Sequence, residues 1–402
     1  MAIPDYHGGS IVNLMASLTE AVGGSAPAPY PPLQGIDTGS WRRSSAVILL
    51  VIDGLGYELV RGTRGAFAQH LAGRLTSVFP STTATAVTTY LTGLAPQQHG
   101  LTGWNMYFRE LGSVVSVLPF VERGGKVPLG KGVDAAELLG AASLSARLPV
   151  RMHVVSPRRI VHSDFNVAYT DGARRHGYDS LKEMFQILAQ LVKEDKESPR
   201  SLPSNALVGG GGGAGRRYLY AYWPELDHLA HEQGIGSRAA AAHLAELDEA
   251  FGHFLRRIEG SDATVIVTGD HGIIDSDPGQ EIDLAAHPRL AQMLLLPLCG
   301  ERRVPYCYVQ PGQGAAFEDY VANELGAYAE CHASATLIDQ GYFGLGTPHP
   351  RLAERIGHYT LIMKDRYVLK DSVAGERWHT QVGVHGGTSE TEMYVPLIVG
   401  RV

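Results

Sequence analysis

The chain has 402 residues, of which 44% are hydrophobic, and its formal net charge is -7 at pH 7. This length and composition predict a soluble globular protein with a large buried core, organised in up to two or three domains. Because the 34 lysines and arginines do not outnumber the 41 acidic residues, the charge balance argues against a nucleic-acid polymer as a partner.

The N-terminal residues 1–18 lack the basic region and unbroken apolar run of a secretory signal. No apolar run in the chain approaches the ~20 residues of a membrane span. We therefore expect a cytoplasmic protein without a membrane span. The oligomeric state is not predicted by any feature of the sequence.

The first predicted strand is AVILLVI, which is followed by Asp53 and Gly54. Its short run of β-branched and aliphatic residues is typical of a buried strand in a mostly parallel sheet. Further along lies FPSTTATAVTTYLTGLAPQQHG, residues 79–100, with five threonines between a proline and a Thr-Gly-Leu turn. Such a segment is either a buried, self-capping helix start or the location of one reactive oxygen.

The middle of the chain alternates between strand and helix patterns. Residues 104–175 contain few periodic runs, and GGGGGAG at residues 209–215 is typical of a flexible loop. Helices are predicted at residues 180–194 and 237–259, and buried strands at residues 217–227 and 263–272. This alternation predicts an α/β fold, with a mostly parallel central sheet and helices on both faces.

A second interruption runs over residues 284–357 and has its own strand-like and helix-like segments, VPYCYVQ and FEDYVANELGAYA. Two further strands are predicted after it, in YTLIMKDRYVLK and in MYVPLIVG. The sequence therefore predicts a catalytic core made of residues 1–283 and 358–402. Residues 284–357 are predicted to form an inserted cap over it.

Polar side chains stand where the predicted strands end, and ligands bind beyond the carboxyl ends of the strands in such sheets. Each acidic residue or pair also has an ordinary interpretation, as a turn, a helix cap or a surface i,i+4 contact. Carboxylate and imidazole groups at one sheet edge are nonetheless a ligand set for zinc, with manganese as the second choice. The residues concerned are Asp53, Asp227, His231, Asp270, His271 and, near the C-terminus, His385. The three cysteines, by contrast, have neither CxxC spacing nor a neighbouring histidine pattern and are expected to be ordinary thiols.

The order of five motifs resembles that of the alkaline phosphatase superfamily, and within it the type I phosphodiesterase and nucleotide pyrophosphatase family. The motifs are VIDGLG, FPSTTATAVTTYLTGLAPQQHG, ELDHLAH, VTGDHG and HGGTSETEMYVPLIV. The resemblance implies two metal ions, usually zinc, flanking a threonine nucleophile. One ion would be held by Asp53, Thr83, Asp270 and His271, and the other by Asp227, His231 and His385.

The same resemblance places the nucleophile on Thr83, with Thr82 as the second choice. The residues around it support this position, because Pro80 and Ser81 stop the preceding extended segment and a helix can begin at Thr83. The N–H groups at a helix start favour an anion. The expected substrate is a small phosphoester or phosphoanhydride, cleaved through a covalent phospho-threonine. Thr85, Thr88 and Thr89 are expected to bond back to helix carbonyls.

The chain departs from the family pattern in two places. The aromatic residue and the asparagine that commonly follow the nucleophile are replaced by Ala84 and Ala86. Trp104, Asn105 or Tyr107 are the nearby residues that can substitute for them. Two alternatives remain open at this point, a phosphomonoesterase or phosphomutase of the same superfamily and a non-catalytic protein that binds metal or phosphate.

Overall fold

The computed structural model describes residues 1–125, 128–129, 132–140, 142–193, 216–376 and 381–402. The predicted glycine-rich loop at residues 209–215 lies outside these residues. Within the described part of the chain, no helix is long and apolar enough to cross a membrane.

The strands, in chain order, are β1 (Ala46–Ile52), β2 (Leu71–Thr76), β3 (Asn105–Phe108), β4 (Ser113–Ser116), β5 (Val121–Glu122), β6 (Arg151–Pro157), β7 (Arg174–Tyr178), β8 (Arg217–Trp223), β9 (Ala263–Thr268), β10 (Ile274–Asp275), β11 (Glu281–Asp283), β12 (Cys299–Gly300), β13 (Pro305–Cys307), β14 (Ala329–Ala333), β15 (Tyr359–Met363), β16 (Val368–Lys370), β17 (Gly383–Val384) and β18 (Tyr394–Arg401).

The α-helices are α1 (Ile11–Ala21), α2 (Tyr57–Arg61), α3 (Ala66–Gln69), α4 (Thr83–Thr92), α5 (Pro96–His99), α6 (Ala135–Leu139), α7 (Asp164–Tyr169), α8 (Leu181–Lys193), α9 (Glu225–Gln233), α10 (Arg238–Arg257), α11 (Pro288–Met293), α12 (Gly314–Tyr320), α13 (Ser334–Asp339), α14 (Leu352–Arg355) and α15 (Glu390–Met393). A π-helical turn, Val321–Leu325, continues α12.

The central sheet has the strand order β2-β18-β9-β1-β8-β6-β7. Its strands from β9 to β7 pair in parallel, and β18 joins β9 and β2 in antiparallel fashion. The predicted mostly parallel sheet is therefore confirmed, with an antiparallel pair added at one edge. Because β1 lies between β8 and β9, the chain leaving all three strands emerges at the same edge of the sheet.

Alternating residues of β1 enter two different hydrophobic clusters, one on each face of the sheet. Val47, Leu49 and Val51 pack into the cluster that includes α1 and α4. Ile48 and Leu50 pack into the cluster that includes α8 and α10. Each such fully buried aliphatic side chain stabilises the fold by about 1.5–3 kcal/mol. Helices cover both faces of the sheet, as predicted.

A second seven-stranded sheet has the order β14-β15-β13-β12-β3-β4-β5. Its strands come from two distant parts of the chain, since β12 pairs with β3 through Gly300 and Asn105. Strand β15, which lies beyond residue 357, pairs with β13 and β14 inside the predicted cap segment. The second lobe thus contains the strands of residues 284–357 together with β3 to β5 and β15. The division into a core and a cap at residues 284 and 357 remains a prediction.

A buried ion pair joins the two lobes. Arg303, which precedes β13, donates from Nε and Nη2 to the two carboxylate oxygens of Glu392 in α15, each at 3.0 Å. Both side chains are almost fully buried. Because a buried charge without its partner is costly, this contact fixes the second lobe against the segment that leads into β18.

Candidate active site

Three acidic side chains follow the three central strands of the main sheet. Asp53 comes directly after β1, Asp270 follows β9, and Asp227 lies in the first turn of α9 after β8. The backbone N–H of Asp53 donates to the carbonyl of Trp223 at 2.9 Å, which continues the β1 and β8 pairing past the strand end. Parallel pairing therefore brings the three carboxylates together, as the sequence predicted from the strand ends.

Thr83 begins helix α4 at the same edge. Its neighbour Thr82 is the N-cap residue with extended backbone angles, φ −140° and ψ 153°, so the helix starts where the sequence predicted. The Thr83 hydroxyl oxygen Oγ1 lies 3.0 Å from His271 Nε2 and 3.4 Å from Asp53 Oδ1. Ser81 ties the preceding segment to the C-terminal turn by donating to the carbonyl of Gly387 at 2.8 Å. The hydroxyl group of Thr83 thus faces Asp53 and His271.

The other threonines of α4 point elsewhere. Thr88 Oγ1 donates to the carbonyl of Ala84 at 2.7 Å, which is the back-bonding that the sequence predicted. Thr89 Oγ1 instead contacts His99 Nε2 at 3.2 Å. Thr85 Oγ1 is buried without a hydrogen-bond partner among the described residues. Thr83 is therefore the threonine of this helix that contacts His271 and Asp53.

The first group of candidate metal ligands consists of Asp53, Asp270 and His271, whose ligand atoms all lie within 4.8 Å of one another. His271 Nε2 lies 3.3 Å from Asp53 Oδ1 and 3.5 Å from Asp270 Oδ2. Asp270 Oδ1 is held by the backbone N–H groups of Gly54 and His271, each at 3.0 Å. This leaves Oδ2 of Asp270 directed at the group.

The second group contains Asp227, His385 and again His271. His385 Nε2 lies 3.8 Å from Asp227 Oδ1. His231, one helical turn after Asp227 on α9, places its Nε2 3.1 Å from Asp227 Oδ2, as expected for residues i and i+4 on one helix face. All seven residues that the family resemblance implied as ligands therefore converge at one sheet edge.

Two observations indicate that the candidate ligand side chains are suited to bind cations. Asp227 Oδ1, Asp270 Oδ2 and His385 Nδ1 are buried and have no hydrogen-bond partner among the described residues, which is costly unless something else satisfies them. In addition, Nδ1 of His231 lies 2.7 Å from the carbonyl of Gly383, and Nδ1 of His271 lies 3.1 Å from that of Gly272. Only a protonated Nδ1 donates to a carbonyl, so Nε2 of each ring is oriented as a metal ligand.

The crowding of charged groups shifts the pKa values at this edge. Burial and then the neighbouring Asp53 carboxylate raise the pKa of Asp270 well above its usual range. Burial opposes the charged form of His271, but Asp270 and Asp53 outweigh it and raise the pKa of that imidazole to about 10. Burial and the nearby His271 lower the pKa of His385 well below its ordinary value. Perturbations of this kind concentrate at functional sites.

These residues open onto a cavity of about 980 Å³ between the two lobes. Its wall includes Thr83, Asp53 and Asp227, together with Trp104 and Asn105 from the start of β3. Two of the three residues that the sequence offered as substitutes near the nucleophile thus reach the site. The third, Tyr107, packs its ring on Tyr308 at 5.3 Å between centroids and does not line the cavity.

Comparison with known proteins decides the family. Residues 47–388 match the model of the type I phosphodiesterase / nucleotide pyrophosphatase family, which is most of the chain. The chain belongs to this family. A search of the curated proteins finds no relative that matches the sequence.

Solved structures of nucleotide pyrophosphatase/phosphodiesterase enzymes share the fold. Murine ectonucleotide pyrophosphatase / phosphodiesterase 5 is 13% identical with a TM-score of 0.64, over 87% of each chain. An inactive variant of that murine protein in complex with AMP is also 13% identical, with a TM-score of 0.63 over 87% of each chain. The human form is 13% identical with a TM-score of 0.63, over 88% of this chain and 87% of that one. The fold of this family member is therefore the alkaline phosphatase-like fold that the motifs implied.

Two residues of the site are not predicted by the sequence patterns. The Tyr222 hydroxyl, near the end of β8, donates to Asp53 Oδ2. Glu301, just after β12, accepts hydrogen bonds beside Thr83. Strand alternation could have placed Tyr222 on one face with Tyr218 and Tyr220, but the Gly-Glu-Arg-Arg stretch around Glu301 contains no comparable signal.

Proposed function

We propose that this family member is a metal-dependent phosphodiesterase of the nucleotide pyrophosphatase type, with Thr83 as its nucleophile. The observation that carries the proposal is the position of Thr83 Oγ1, 3.0 Å from His271 Nε2 and 3.4 Å from Asp53 Oδ1, on the wall of the cavity. A hydroxyl group at the start of a buried helix is also favourably placed for an anionic substrate, because the first N–H groups of a helix have no intrahelical partner.

Two ligand sets are proposed for two divalent ions, with zinc as the first choice and manganese as the second. Asp53, Thr83, Asp270 and His271 would hold one ion. The other would be held by Asp227, His231 and His385. When bound, such ions lower the pKa of oxygen ligands and neutralise the charge of the phosphoryl group.

The reaction proposed for Thr83 has two displacements at phosphorus. In the first, a bond forms between Thr83 Oγ1 and phosphorus, and the bond from phosphorus to the leaving oxygen breaks, with its electron pair going to that oxygen. In the second, the oxygen of a water molecule bonds to phosphorus and the bond to Thr83 Oγ1 breaks. Over the two steps, the proton lost by Thr83 ends on the leaving oxygen, and one proton of the water restores the Thr83 hydroxyl. Two in-line displacements give overall retention.

The chain's own residues orient these steps. Asp53 Oδ1 accepts from the Thr83 hydroxyl, while Tyr222 holds the other oxygen of Asp53. Ala84 and Ala86 are fully buried and offer no polar or aromatic group to the substrate. Trp104 and Asn105 instead border the space where the substrate would lie. These residues support a phosphoester as the substrate.

The test is a panel of three aryl substrates with protein purified without chelators. We expect hydrolysis of bis-p-nitrophenyl phosphate to dominate over that of p-nitrophenyl phosphate and p-nitrophenyl sulfate. Dominant hydrolysis of the monoester would favour the phosphomonoesterase alternative instead. No hydrolysis of any of the three by protein that contains metal would favour a non-catalytic binding protein.

A further inference from the structure

Glu301 is an acidic side chain that the second lobe contributes to the cavity beside Thr83. Its carboxylate oxygen Oε1 accepts two hydrogen bonds, from the Thr82 hydroxyl and from the backbone N–H of Trp104, each at 2.7 Å. Both donors come from segments that border the nucleophile. The two bonds fix the position of the carboxylate, because each one restricts the rotation of the side chain.

The glycines around Glu301 also constrain the position of its side chain. Gly300 adopts φ +77°, and a Cβ added there would lie 2.5 Å from the carbonyl oxygen of Val304, so only glycine fits the turn that presents Glu301. On the other side lies Gly386, next to His385. A Cβ added at Gly386 would lie 3.1 Å from Glu301 Cβ. The acidic group is thus packed between the nucleophile segment and the turn that holds a proposed ligand.

No ion pair neutralises this carboxylate within the part of the chain that the structure describes. Of the two arginines that follow it, Arg303 is bound to Glu392. Arg302 has its Nη1 3.8 Å from a carboxylate oxygen of Glu281 and also interacts electrostatically with Glu301. Oε1 is occupied by its two donors, and Oε2 makes no further hydrogen bond to a described residue. The cavity wall beside Thr83 therefore presents a fixed hydrogen-bond acceptor, the carboxyl of Glu301, whose pKa is raised by burial. Trp104, whose backbone donates one of the two hydrogen bonds, also lines the cavity and is 40% exposed. The same cavity is also lined by basic residues, Arg123, Arg159, Arg302 and Lys370.

We propose that Glu301 determines substrate specificity. It favours a phosphodiester in which a group attached to the scissile phosphate carries a hydrogen-bond donor, an ammonium or hydroxyl, and it disfavours a further negative charge there. An ammonium group would also gain from the face of Trp104. A monoester or a phosphoanhydride chain would place like charges close together, which is unfavourable. This inference rests on the proposed function, and it narrows the substrates to esters of amino alcohols or polyols.

The first test measures binding, independently of turnover. Thr83→Ala protein, with and without Glu301→Gln, is titrated by calorimetry with 2-aminoethyl methylphosphonate, ethyl methylphosphonate and methylphosphonate at mildly alkaline pH. We expect Glu301→Gln to weaken binding of the aminoethyl ester relative to the ethyl ester by about tenfold and to strengthen binding of methylphosphonate. Unchanged affinities, or an equal loss for all three ligands, would overturn the proposal.

The second test measures hydrolysis of three substrates with one leaving group, the p-nitrophenyl derivatives of 2-aminoethyl phosphate, ethyl phosphate and phosphate itself. Glu301→Gln should lower kcat/KM for the aminoethyl ester relative to the ethyl ester and raise it for the monoester. Glu324→Gln, which changes an exposed glutamate of the same lobe, should leave the three ratios unchanged. Equal ratios in wild type and Glu301→Gln would overturn the specificity role.

The two proposals fail in different ways. If the wild type cleaves none of the three substrates, the proposed function is wrong, whereas calorimetry still decides the role of Glu301. If Glu301→Gln does not fold, Glu301→Asp replaces it, since it keeps the charge and withdraws it by one methylene group. We then expect the same order of affinities with smaller differences, and affinities identical to the wild type would count against the proposal.

Discussion

The imidazole rings of His271 and His385 are stacked, with their centroids 3.7 Å apart and their planes 17° apart. His271 belongs to the first group of candidate ligands, and His385 belongs to the second. Because the two rings are in van der Waals contact, ions bound by the two groups would be close neighbours. Such proximity is what the proposed clamping of one phosphoryl group between two ions would require.

The metal site is tested by Asp270→Asn. The amide oxygen can still accept from the backbone N–H groups of Gly54 and His271, but the charge and one ligand are lost. We expect the metal content to fall from two ions per chain to one, and activity to fall about a hundredfold or more. Elemental analysis and diester hydrolysis measure both effects. Asp339→Asn, which changes an exposed acid, is the control, and an unchanged metal content in Asp270→Asn would contradict the assignment.

The nucleophile is tested by Thr83→Ala. Removal of Oγ1 deletes the covalent route, so we expect turnover to fall by about a thousandfold or more while most of the metal stays bound. Thr83→Ser should remain partly active, because its hydroxyl can occupy the same position. Quenching a slow substrate should leave phosphate on the peptide of residues 79–94. Thr88→Val is the matched control within α4, and phosphate found on Thr82 would require a new assignment.

Tyr222→Phe tests whether the tyrosine hydroxyl orients Asp53. Loss of its hydrogen bond to Asp53 Oδ2 should weaken metal affinity by about 10–100-fold, the usual effect of removing a group that orients a ligand. Competition with a fluorescent zinc chelator measures that affinity, and added metal should restore activity. Tyr218→Phe is the control, because the Tyr218 hydroxyl is buried without a partner among the described residues. Equal metal affinities in the two variants would exclude the role of Tyr222.

The stability of the protein should decrease in acid because of His99. Its Nδ1 accepts from the N–H of Leu101 at 3.1 Å, and burial, followed by His349 and Arg355, lowers its pKa from 6.5 to about 3. Between pH 6.5 and 3 the unfolded chain therefore binds a proton that the folded chain does not. The free energy of unfolding should fall by up to about 1.4 kcal/mol per pH unit as the pH decreases through this range.

Urea unfolding at a series of pH values between neutrality and mild acid measures this slope. His99→Asn can keep the acceptor for Leu101 and removes the titrating ring, so its slope should be shallower than that of the wild type. Part of the slope should remain, since burial also lowers the pKa of His153 to about 3. His253→Asn, at an exposed position, should not change the slope, and a wild-type slope in His99→Asn would refute the explanation.

Local patterns predicted much of the fold and of the site. The starts of β1, β8 and β9 coincide with those of the predicted apolar runs, although β8 and β9 end before their runs do, and α4 begins at Thr83 as expected from Pro80 and Ser81. The convergence of Asp53, Asp227 and Asp270 follows from one rule, that parallel strands share a carboxyl edge. These features could be predicted because each depends on neighbouring residues or on a single topological rule.

The remaining features depend on contacts between residues that are far apart in the sequence. Pairing of β3 with β12 joins Asn105 to Gly300, and no periodicity in either segment indicates its partner. Glu301 enters the site only because of that pairing. Tyr222 reaches Asp53 through the register of β1 and β8, which side-chain alternation alone does not determine. Long-range pairing is therefore the part of the structure that local sequence patterns do not predict.

The position of β1 in the middle of the central sheet has a consequence for synthesis of the chain. Its seven residues are all buried, yet both of its neighbours, β8 and β9, are translated long after it. The nascent chain thus carries AVILLVI without its partners while the intervening segments leave the ribosome. An unpaired apolar strand of this kind promotes aggregation. Folding yield in cells should accordingly depend on chaperones that bind the emerging N-terminal part of the chain.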